Sequence, residues 1–296
     1  MMNATGGAHR APRQWNLLHF AALIAGNAAL ALGPYFVRLA DSGPLSAGFW
    51  RLALAVPALA LISVASGQKL TGFRPAVWWA MAGAGVFFAL DLGSWHIGIG
   101  MTRLGNAALF GNSGSLIVMA WGLIALHRAP RRNEWLAFLL AILGSLVLMG
   151  RSLEIGRETL VGDLFCLTAG LLYAGYIMLL QRPRATLGNW SLLTWSSIAG
   201  APVLLGLAVA MGEPVLPTVW WPLIAMAVLS QIVGQGLLIF ALRHFTPLVF
   251  GLALLCQPVV AVAAGWLAFG ETLGWMDVTG MVMVAAGLAL ARSTQD

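Results

Sequence analysis

The feature that most constrains this chain is a succession of apolar runs, each about 20 residues long, that continues from one end to the other. Hydrophobic residues fill 60% of the 296 positions and charged residues only 9%, which is too little polar surface to cover a soluble globule. Runs of this length suit membrane-spanning helices, whereas the strands of a membrane barrel alternate over about 10 residues. The sequence therefore predicts an all-α integral membrane protein in contact with lipid.

Breaks in hydropathy divide the chain into ten predicted spans, joined by short connections that carry Gly, Pro or charged residues. The predicted spans are 18–38, 44–66, 76–100, 103–127, 134–150, 160–181, 189–211, 217–242, 246–269 and 273–292. Because the connections are short, we expect consecutive helices to pack as antiparallel neighbours.

The two halves of the chain resemble each other in hydropathy. A shift of 143 residues lays 242–291 over 99–148 without a gap, so that Gly265 falls on Gly122 and Asp277 falls on Glu134. This predicts two domains of five helices each, residues 1–150 and residues 151–296. Since each half holds an odd number of spans, the second half is expected to cross the membrane in the opposite direction, as inverted repeats of solute transporters do.

Basic residues predict the orientation of the spans. With both termini in the cytoplasm, the inner face holds Arg10, Arg13, Lys69, Arg74, Arg128, Arg131, Arg132, Arg182, Arg184, Arg243 and Arg292, and the outer face holds Arg38, Arg103, Arg151 and Arg157. This asymmetry follows the positive-inside rule and indicates a multi-pass protein whose termini both face the cytoplasm. The net charge of +6 suits an anionic lipid surface and requires no nucleic-acid partner.

Sequence motifs that mark enzymes are missing from the chain. There is no GxxxxGK[ST] phosphate loop and no HExxH zinc helix. The segment 111–115 (GNSGS) has Ser where a nucleophile elbow needs its last Gly. Cys166 and Cys256 lie within predicted spans, where a thiol usually behaves as a small apolar residue. We expect no enzymatic activity, no catalytic residue, no metal and no cofactor.

Two charged residues lie well inside predicted spans, Asp91 in the third and Arg51 in the second. A charged Asp at mid-bilayer costs about 2.5 to 3.5 kcal/mol on insertion scales, so Asp91 is a candidate for substrate binding or for exchanging a coupling proton. The alternative for Asp91 is a structural role, capping a broken helix or pairing with a buried Arg. Arg51 is the candidate partner, and the structural alternative is favoured for it because a long guanidinium can brace a helix against a neighbouring carbonyl.

Uncharged polar residues form short stripes on several predicted spans. Gln231 and Gln235 share one face of the eighth span, and Asn112 and Ser115 share one face of the fourth. Two further side chains lie near prolines that interrupt a helix, and these are Gln257 before Pro258 and Asn27 before Pro34. Such positions line solute pathways, since broken helices expose backbone groups at depth. The alternative is ordinary interhelical hydrogen bonding.

Four aromatic residues lie deeper than the interfacial belt, and these are Trp95, Tyr173, Tyr176 and Trp195. A Tyr in hydrocarbon needs a partner for its hydroxyl, so these rings are expected to face protein or water. They would suit a partly apolar solute, although aromatic residues also fill ordinary helix interfaces.

Several short motifs resemble the drug/metabolite transporter superfamily, with each half similar to an EamA-type unit. They are Phe49-Trp50-Arg51 in the second span, Gly162-Asp163-Leu164 opening the sixth, Gln257-Pro258 in the ninth, Gly270-Glu271 after it and Ala286-Gly287 in the tenth. The first half departs from the pattern at Arg128, where an acidic residue is usual, and at Ser115, where proline is usual. Within the superfamily the chain resembles the YddG-type exporters of aromatic amino acids. This resemblance implies a protein of the bacterial inner membrane with a central cavity between its two repeats.

Together these features predict a secondary transporter that exports small amphipathic metabolites by alternating access, foremost aromatic and other amino acids. A drug or nucleotide-sugar carrier of the same fold is one alternative, and a non-transporting receptor or assembly factor is another. The fifth and tenth spans, built mainly of small and aliphatic residues, are expected to serve packing or a homodimer contact.

Overall fold

The structure is a computed structural model that describes residues 16–102, 107, 110–125, 131–149, 156–257, 259–260 and 274–292. Every regular element in these ranges is a helix. The helices are α1 (Leu17–Ala31), α2 (Gly33–Leu39), α3 (Pro44–Ala65), α4 (Pro75–Met101), α5 (Ser113–Ala125), α6 (Arg132–Met149), α7 (Leu160–Arg184), α8 (Asn189–Ala210), α9 (Trp221–Met226), the π-helical segment π1 (Ala227–Gln235), α10 (Gly236–Ala241), α11 (Pro247–Leu254) and α12 (Trp275–Arg292).

Six of the helical segments are long and apolar enough to cross a membrane. They are Leu17–Val37, Pro44–Ala65, Pro75–Met101, Leu160–Arg184, Asn189–Ala210 and Trp221–Ala241. The predicted all-α class is confirmed, because these segments coincide within a few residues with predicted spans and the described residues contain no strand. Large parts of the fourth and ninth predicted spans, including Pro258 and residues 261–269, lie outside the described ranges.

Proline and glycine define the ends of the long helices. Pro44 and Pro75 stand in the first turn of α3 and α4, where the missing N–H costs no intrahelical hydrogen bond. Gly67 and Gly212 follow the ends of α3 and α8 with φ of +68° and +69°, the left-handed conformation that stops a helix. The glycine after the helix end is shared by the two halves, and α3 and α8 are each 22 residues long.

Helices of the first half pack against helices of the second half. α1 contacts π1 and α10, α3 contacts α8, α4 contacts α7, α5 contacts α11, and α6 contacts α12. Small residues allow this close approach. A Cβ built on Gly114 would lie 2.3 Å from the Gly170 carbonyl oxygen, and one built on Gly144 would lie 2.8 Å from the Gly280 carbonyl oxygen. Such contacts between small residues are the usual means of helix association in lipid.

One end of the α3/α8 pair is joined by a cluster that we call the Gln68 clasp. Gln68 Oε1 accepts hydrogen bonds from the backbone N–H groups of Trp190 (3.0 Å) and Ser191 (3.2 Å), in the first turn of α8. The Trp195 indole nitrogen donates to the Leu70 carbonyl oxygen at 2.9 Å. The loop after α3 therefore caps the N-terminus of α8, whose N-cap glycine has no side chain to do so.

The opposite end of the same pair carries the Glu213 clasp. Glu213 Oε2 accepts hydrogen bonds from the Ser46 N–H (3.0 Å) and the Ser46 hydroxyl (3.3 Å). The Trp50 indole nitrogen donates to the Val215 carbonyl oxygen at 2.7 Å. Each of these four residues lies 145 positions from its counterpart in the Gln68 clasp. Each half of the chain thus caps a helix of the other half in the same way.

Candidate functional site

A cavity with a volume of about 180 Å³ lies between the two halves. Its walls come from α1, α3, α4, α7, π1 and α11 and from the chain around the start of α5. The lining residues are Leu30, Ala31, Arg51, Phe88, Asp91, Leu92, Trp95, Ala107, Gly111, Asn112, Ser115, Tyr173, Gln235, Leu254 and Gln257. A mostly apolar wall with a few convergent polar groups is typical of a small-molecule site.

Helical geometry is interrupted where several helices reach the cavity. α1 and α2 are separated at Leu32, next to the lining residue Ala31. A turn at Asn112 precedes α5, and a turn at Leu255 and Cys256 follows α11. Asn112 and Leu255 are equivalent positions under the 143-residue shift. At these interruptions the backbone forms tighter turns, in which the Ser115 N–H donates to the Asn112 carbonyl oxygen and the Leu255 N–H donates to the Leu252 carbonyl oxygen.

The eighth predicted span is π-helical where it lines the cavity. Residues Ala227–Gln235 form nine residues of π-helix between α9 and α10, and Gln235 at its end lines the cavity. Gln231 and Gln235 are four residues apart, so they stay on nearly the same face of this wider turn. π-Helical segments are rare in proteins, and many of those that occur lie at functional sites.

Arg51 is the one cation on the described cavity wall. It is 4% exposed, its Nε donates to Gln231 Oε1 at 3.2 Å, and its guanidinium carbon lies 5.6 Å from the centre of the Phe88 ring. Gln231 in turn donates through Nε2 to the Ser197 hydroxyl at 3.1 Å, and both residues are fully buried. Arg51 therefore belongs to a buried hydrogen-bonded chain that links α3, π1 and α8.

Asp91 brings a negative charge to the same cavity. It is half-buried on α4, and no hydrogen bond or ion pair joins its carboxylate to another residue in the described ranges. Two neutral groups on the wall are also unpaired there, the hydroxyl of Tyr173 and Oε1 of Gln235, both of them buried. Among the described residues, these are two of the eight buried side-chain atoms that lack a hydrogen-bond partner, and leaving such a group unpaired is costly.

Asn27 and Gln257 form a second polar contact between the halves. Gln257 lines the cavity and donates through Nε2 to Asn27 Oδ1 at 3.2 Å. The fully buried Asn27 donates its own amide to the Leu23 carbonyl oxygen at 2.8 Å. Asn27 therefore supports the orientation of Gln257 from behind, and Pro258 lies outside the described residues.

The predicted aromatic residues have different surroundings. Trp95 and Tyr173 line the cavity. Tyr176 is fully buried behind it, with its ring stacked on Phe88 at a centroid distance of 4.7 Å. Trp195 belongs to the Gln68 clasp and contacts Trp78, away from the lining residues. The apolar wall that faces a solute is therefore made by Phe88, Trp95 and Tyr173, together with aliphatic side chains.

Eight of the predicted site residues thus line the cavity, Asp91, Trp95, Asn112, Ser115, Tyr173, Gln235, Gln257 and Arg51. Phe88 was missed by sequence reasoning, although it precedes Asp91 by three positions and therefore lies on the same helical face. Leu30, Ala31 and Leu254 carry no local signal, because apolar residues of these types occur throughout the spans.

An all-helical membrane chain whose halves enclose a cavity with buried charge has the organisation of a solute transporter. The sequence profile of the EamA-like transporter family matches residues 16–150 and 160–293. The chain belongs to this family, within the drug/metabolite transporter superfamily. It is a multi-pass membrane transporter of a small molecule and not an enzyme, which excludes the receptor or assembly-factor alternative.

Comparison with known proteins finds relatives among exporters. The chain is 28% identical over 206 residues to the threonine/homoserine exporter RhtA of Salmonella typhimurium strain SL1344, covering 68% of each chain. It is 28% identical over 213 residues to RhtA of Escherichia coli K12, covering 70% of this chain and 68% of that one. A probable amino-acid metabolite efflux pump of Salmonella typhimurium strain LT2 is 30% identical over 199 residues, covering 62% of this chain and 66% of that one.

A solved crystal structure shares the fold. It superimposes with a TM-score of 0.79 over 94% of this chain and 96% of that chain, at 15% sequence identity.

Proposed function

We propose that this transporter exports amino acids across the bacterial inner membrane by alternating access, aromatic amino acids among them. The observation that carries the proposal is the cavity between the halves, where Arg51 and Asp91 bring opposite charges to one predominantly apolar space. A free amino acid has the same combination of an ammonium group, a carboxylate and a side chain. The exporters to which the chain is similar are named for threonine, homoserine and amino-acid metabolites, which supports the same class of substrate.

Aromatic substrates are part of the proposal because of the wall formed by Phe88, Trp95 and Tyr173. Aromatic rings pack against one another with a preference for offset or edge-on contacts, so such a wall favours a solute with a ring. Threonine and homoserine are smaller and more polar. Comparison of the rates at which the protein transports aromatic amino acids and threonine or homoserine would show which kind it prefers.

The proposed mechanism requires ten spans in two inverted repeats, residues 1–150 and 151–296, with both termini in the cytoplasm. The reciprocal Gln68 and Glu213 clasps support it, because a constant offset of 145 residues relates contacts at opposite ends of the α3/α8 pair. Inverted repeats that rock about a site between them expose this site alternately to the two sides. In the proposed orientation the Gln68 clasp faces the cytoplasm and the Glu213 clasp faces the exterior.

Proton coupling through Asp91 is the second part of the proposed mechanism. A carboxylate with no protein partner in the described ranges is free to exchange a proton with water in the cavity. The proposal predicts that an inward proton gradient accelerates amino-acid export.

Reconstituted flux tests the proposal directly. The full chain is incorporated into proteoliposomes loaded with labelled phenylalanine, tryptophan, threonine or homoserine, and efflux is followed with and without a pH gradient. Saturable efflux that protein-free vesicles lack is the expected result. Absence of saturable flux for all four amino acids would refute the substrate class. Efflux at the same rate with and without the pH gradient would refute only the proton coupling.

A further inference from the structure

The position of Arg51 is set by neighbours that use only one of its nitrogens. Nε donates to Gln231, and Gln231 is held by Ser197. Gln231 and Ser197 are each 0% exposed, so water does not compete for these two hydrogen bonds. The guanidinium plane is thereby oriented before any ligand enters.

The outer edge of the guanidinium remains unused. Nη1 and Nη2 donate no hydrogen bond to any residue in the described part of the chain, and no ion pair is formed there. Arg51 is one of the residues that line the cavity, so a solute bound there would lie beside its guanidinium. Two parallel N–H groups on a planar fork match the two oxygens of a carboxylate. A buried cation that forms no ion pair is costly, and an incoming carboxylate paired with Arg51 would offset this cost.

Acceptors for a positive charge line the same cavity. Asp91 has no partner in the described ranges, and Oε1 of Gln235 is buried without a hydrogen bond, on a residue that is 1% exposed. Neither group can donate to a carboxylate when Asp91 is ionised, and both can accept from an ammonium group. The cavity wall therefore carries both a donor fork and a set of acceptors, and the charges of Arg51 and ionised Asp91 sum to zero.

We propose that Arg51 binds the α-carboxylate of the exported amino acid while Asp91 and Gln235 bind its ammonium group. Gln231 and Ser197 are positioning residues that keep the guanidinium edge directed into the cavity. This inference rests on the proposed function and specifies how the site selects its substrate class. Zwitterions match both charges, whereas amines, amides and simple acids each leave one charged group of the cavity unpaired.

The test compares analogues that differ by one charged group. Phenylalanine, phenylalaninamide, phenethylamine and 3-phenylpropionate are used as competitors of labelled phenylalanine efflux from proteoliposomes, with threonine and threoninamide as a second series. For the wild-type protein we expect each amide and phenethylamine to compete roughly tenfold to a hundredfold less well than the parent amino acid, the range expected for loss of a charge-assisted hydrogen-bonded pair.

Variants then assign this discrimination to Arg51. In Arg51→Gln the ratio between phenylalaninamide and phenylalanine should fall to near one. Arg51→Lys should keep part of the ratio, because it retains the charge and loses the planar fork. Gln231→Met should weaken binding of phenylalanine several-fold while the cation remains. Arg157→Gln, a change at an exposed arginine before α7, is the matched control and should leave the ratio unchanged.

Two outcomes would overturn the assignment. Equal competition by phenylalanine and phenylalaninamide in the wild type would show that no carboxylate contact exists. Undiminished discrimination in both Arg51→Gln and Arg51→Lys would place the contact on another residue. If one variant fails to fold, the other variant and the wild-type analogue series still decide.

Failure of the proposed function is recognised separately. If no amino acid is transported, thermal stabilisation of the purified protein by 3-phenylpropionate is measured instead. Stabilisation that disappears in Arg51→Gln would support the carboxylate contact without amino-acid export, and its absence in the wild type would refute both proposals.

Discussion

Removal of the Glu213 side chain tests whether the reciprocal clasps stabilise the transporter. In Glu213→Ala, the N–H and the hydroxyl of Ser46 lose their acceptor. Ser46 is 0% exposed, so both donors are left in a buried position. An unsatisfied buried group costs about 1 to 3 kcal/mol. Glu213 itself is half-buried, which allows water to reach part of the vacated space.

We therefore expect Glu213→Ala to lower the free energy of unfolding by about 2 kcal/mol, near the lower limit for two lost partners. Glu213→Gln retains an acceptor oxygen and loses only the extra strength of a charged acceptor, so its cost should stay below about 1 kcal/mol. The other half of the chain uses Gln68 in the equivalent position. A glutamine in the same geometry can therefore accept hydrogen bonds from the first turn of a helix.

The assay is reversible unfolding in mixed detergent micelles, followed by tryptophan fluorescence. Glu158→Ala removes an exposed carboxylate that takes no part in either clasp and serves as the control. Gly43→Ala disturbs the clasp from the other side, because its Cβ would lie 2.2 Å from Glu213 Oε2, and should also destabilise. Wild-type stability of Glu213→Ala, or an equal loss in Glu213→Gln, would refute the capping argument.

Three further predictions concern packing, pH and transport. Gly114→Ala should destabilise by about 1 to 3 kcal/mol, because its Cβ would lie 2.3 Å from the Gly170 carbonyl oxygen, whereas Gly206→Ala, with nothing within 4 Å, should be neutral in the same unfolding assay. Burial, and next the neighbouring His19, lower the pKa of His244 to about 4 from its ordinary 6.5. In the unfolded chain His244 therefore takes up a proton at a higher pH than in the folded protein, so stability should fall as the pH drops from 6.5 to 4. Melting temperatures of His244→Gln, measured across this pH range, should lack this part of the pH dependence. Asp91→Asn should reduce amino-acid efflux and flatten its pH profile, and an unchanged profile would make the carboxylate structural.

The bounds of the long helices could be predicted because their signals are local. Proline in a first turn and glycine after a last turn act through the backbone of a few residues, so the predicted span 44–66 became Pro44–Ala65 and the predicted span 189–211 became Asn189–Ala210. Asp91 was found for a similar reason. A charge in an apolar run is costly wherever the neighbouring helices lie.

The offset of 145 residues between the clasps is also present in the sequence. Gly43, Ser46 and Trp50 recur as Gly188, Ser191 and Trp195. The shift of 143 residues that aligns the later helices hides this match, because the connecting loops of the two halves differ in length.

The position of Trp195 deep within a predicted span does not determine what its side chain contacts. A deep tryptophan is compatible with a cavity wall and with a capping contact, and the sequence does not distinguish them. In the structure the indole nitrogen of Trp195 donates a hydrogen bond to the carbonyl oxygen of Leu70, which belongs to the other half of the chain. Tyr176 likewise stacks behind Phe88 and contributes to the wall only through that ring.

Local sequence is enough to establish that this chain is a helical membrane protein, where its long helices begin and end, and that charge is buried in them. These properties depend on the transfer of short segments into lipid and on backbone conformation. Only the tertiary structure decides that Arg51 and Asp91 face one cavity, that Gln231 holds the guanidinium, and that Trp195 does not line the wall. Which face of a helix meets which partner depends on close packing between distant segments, and no single span contains that information.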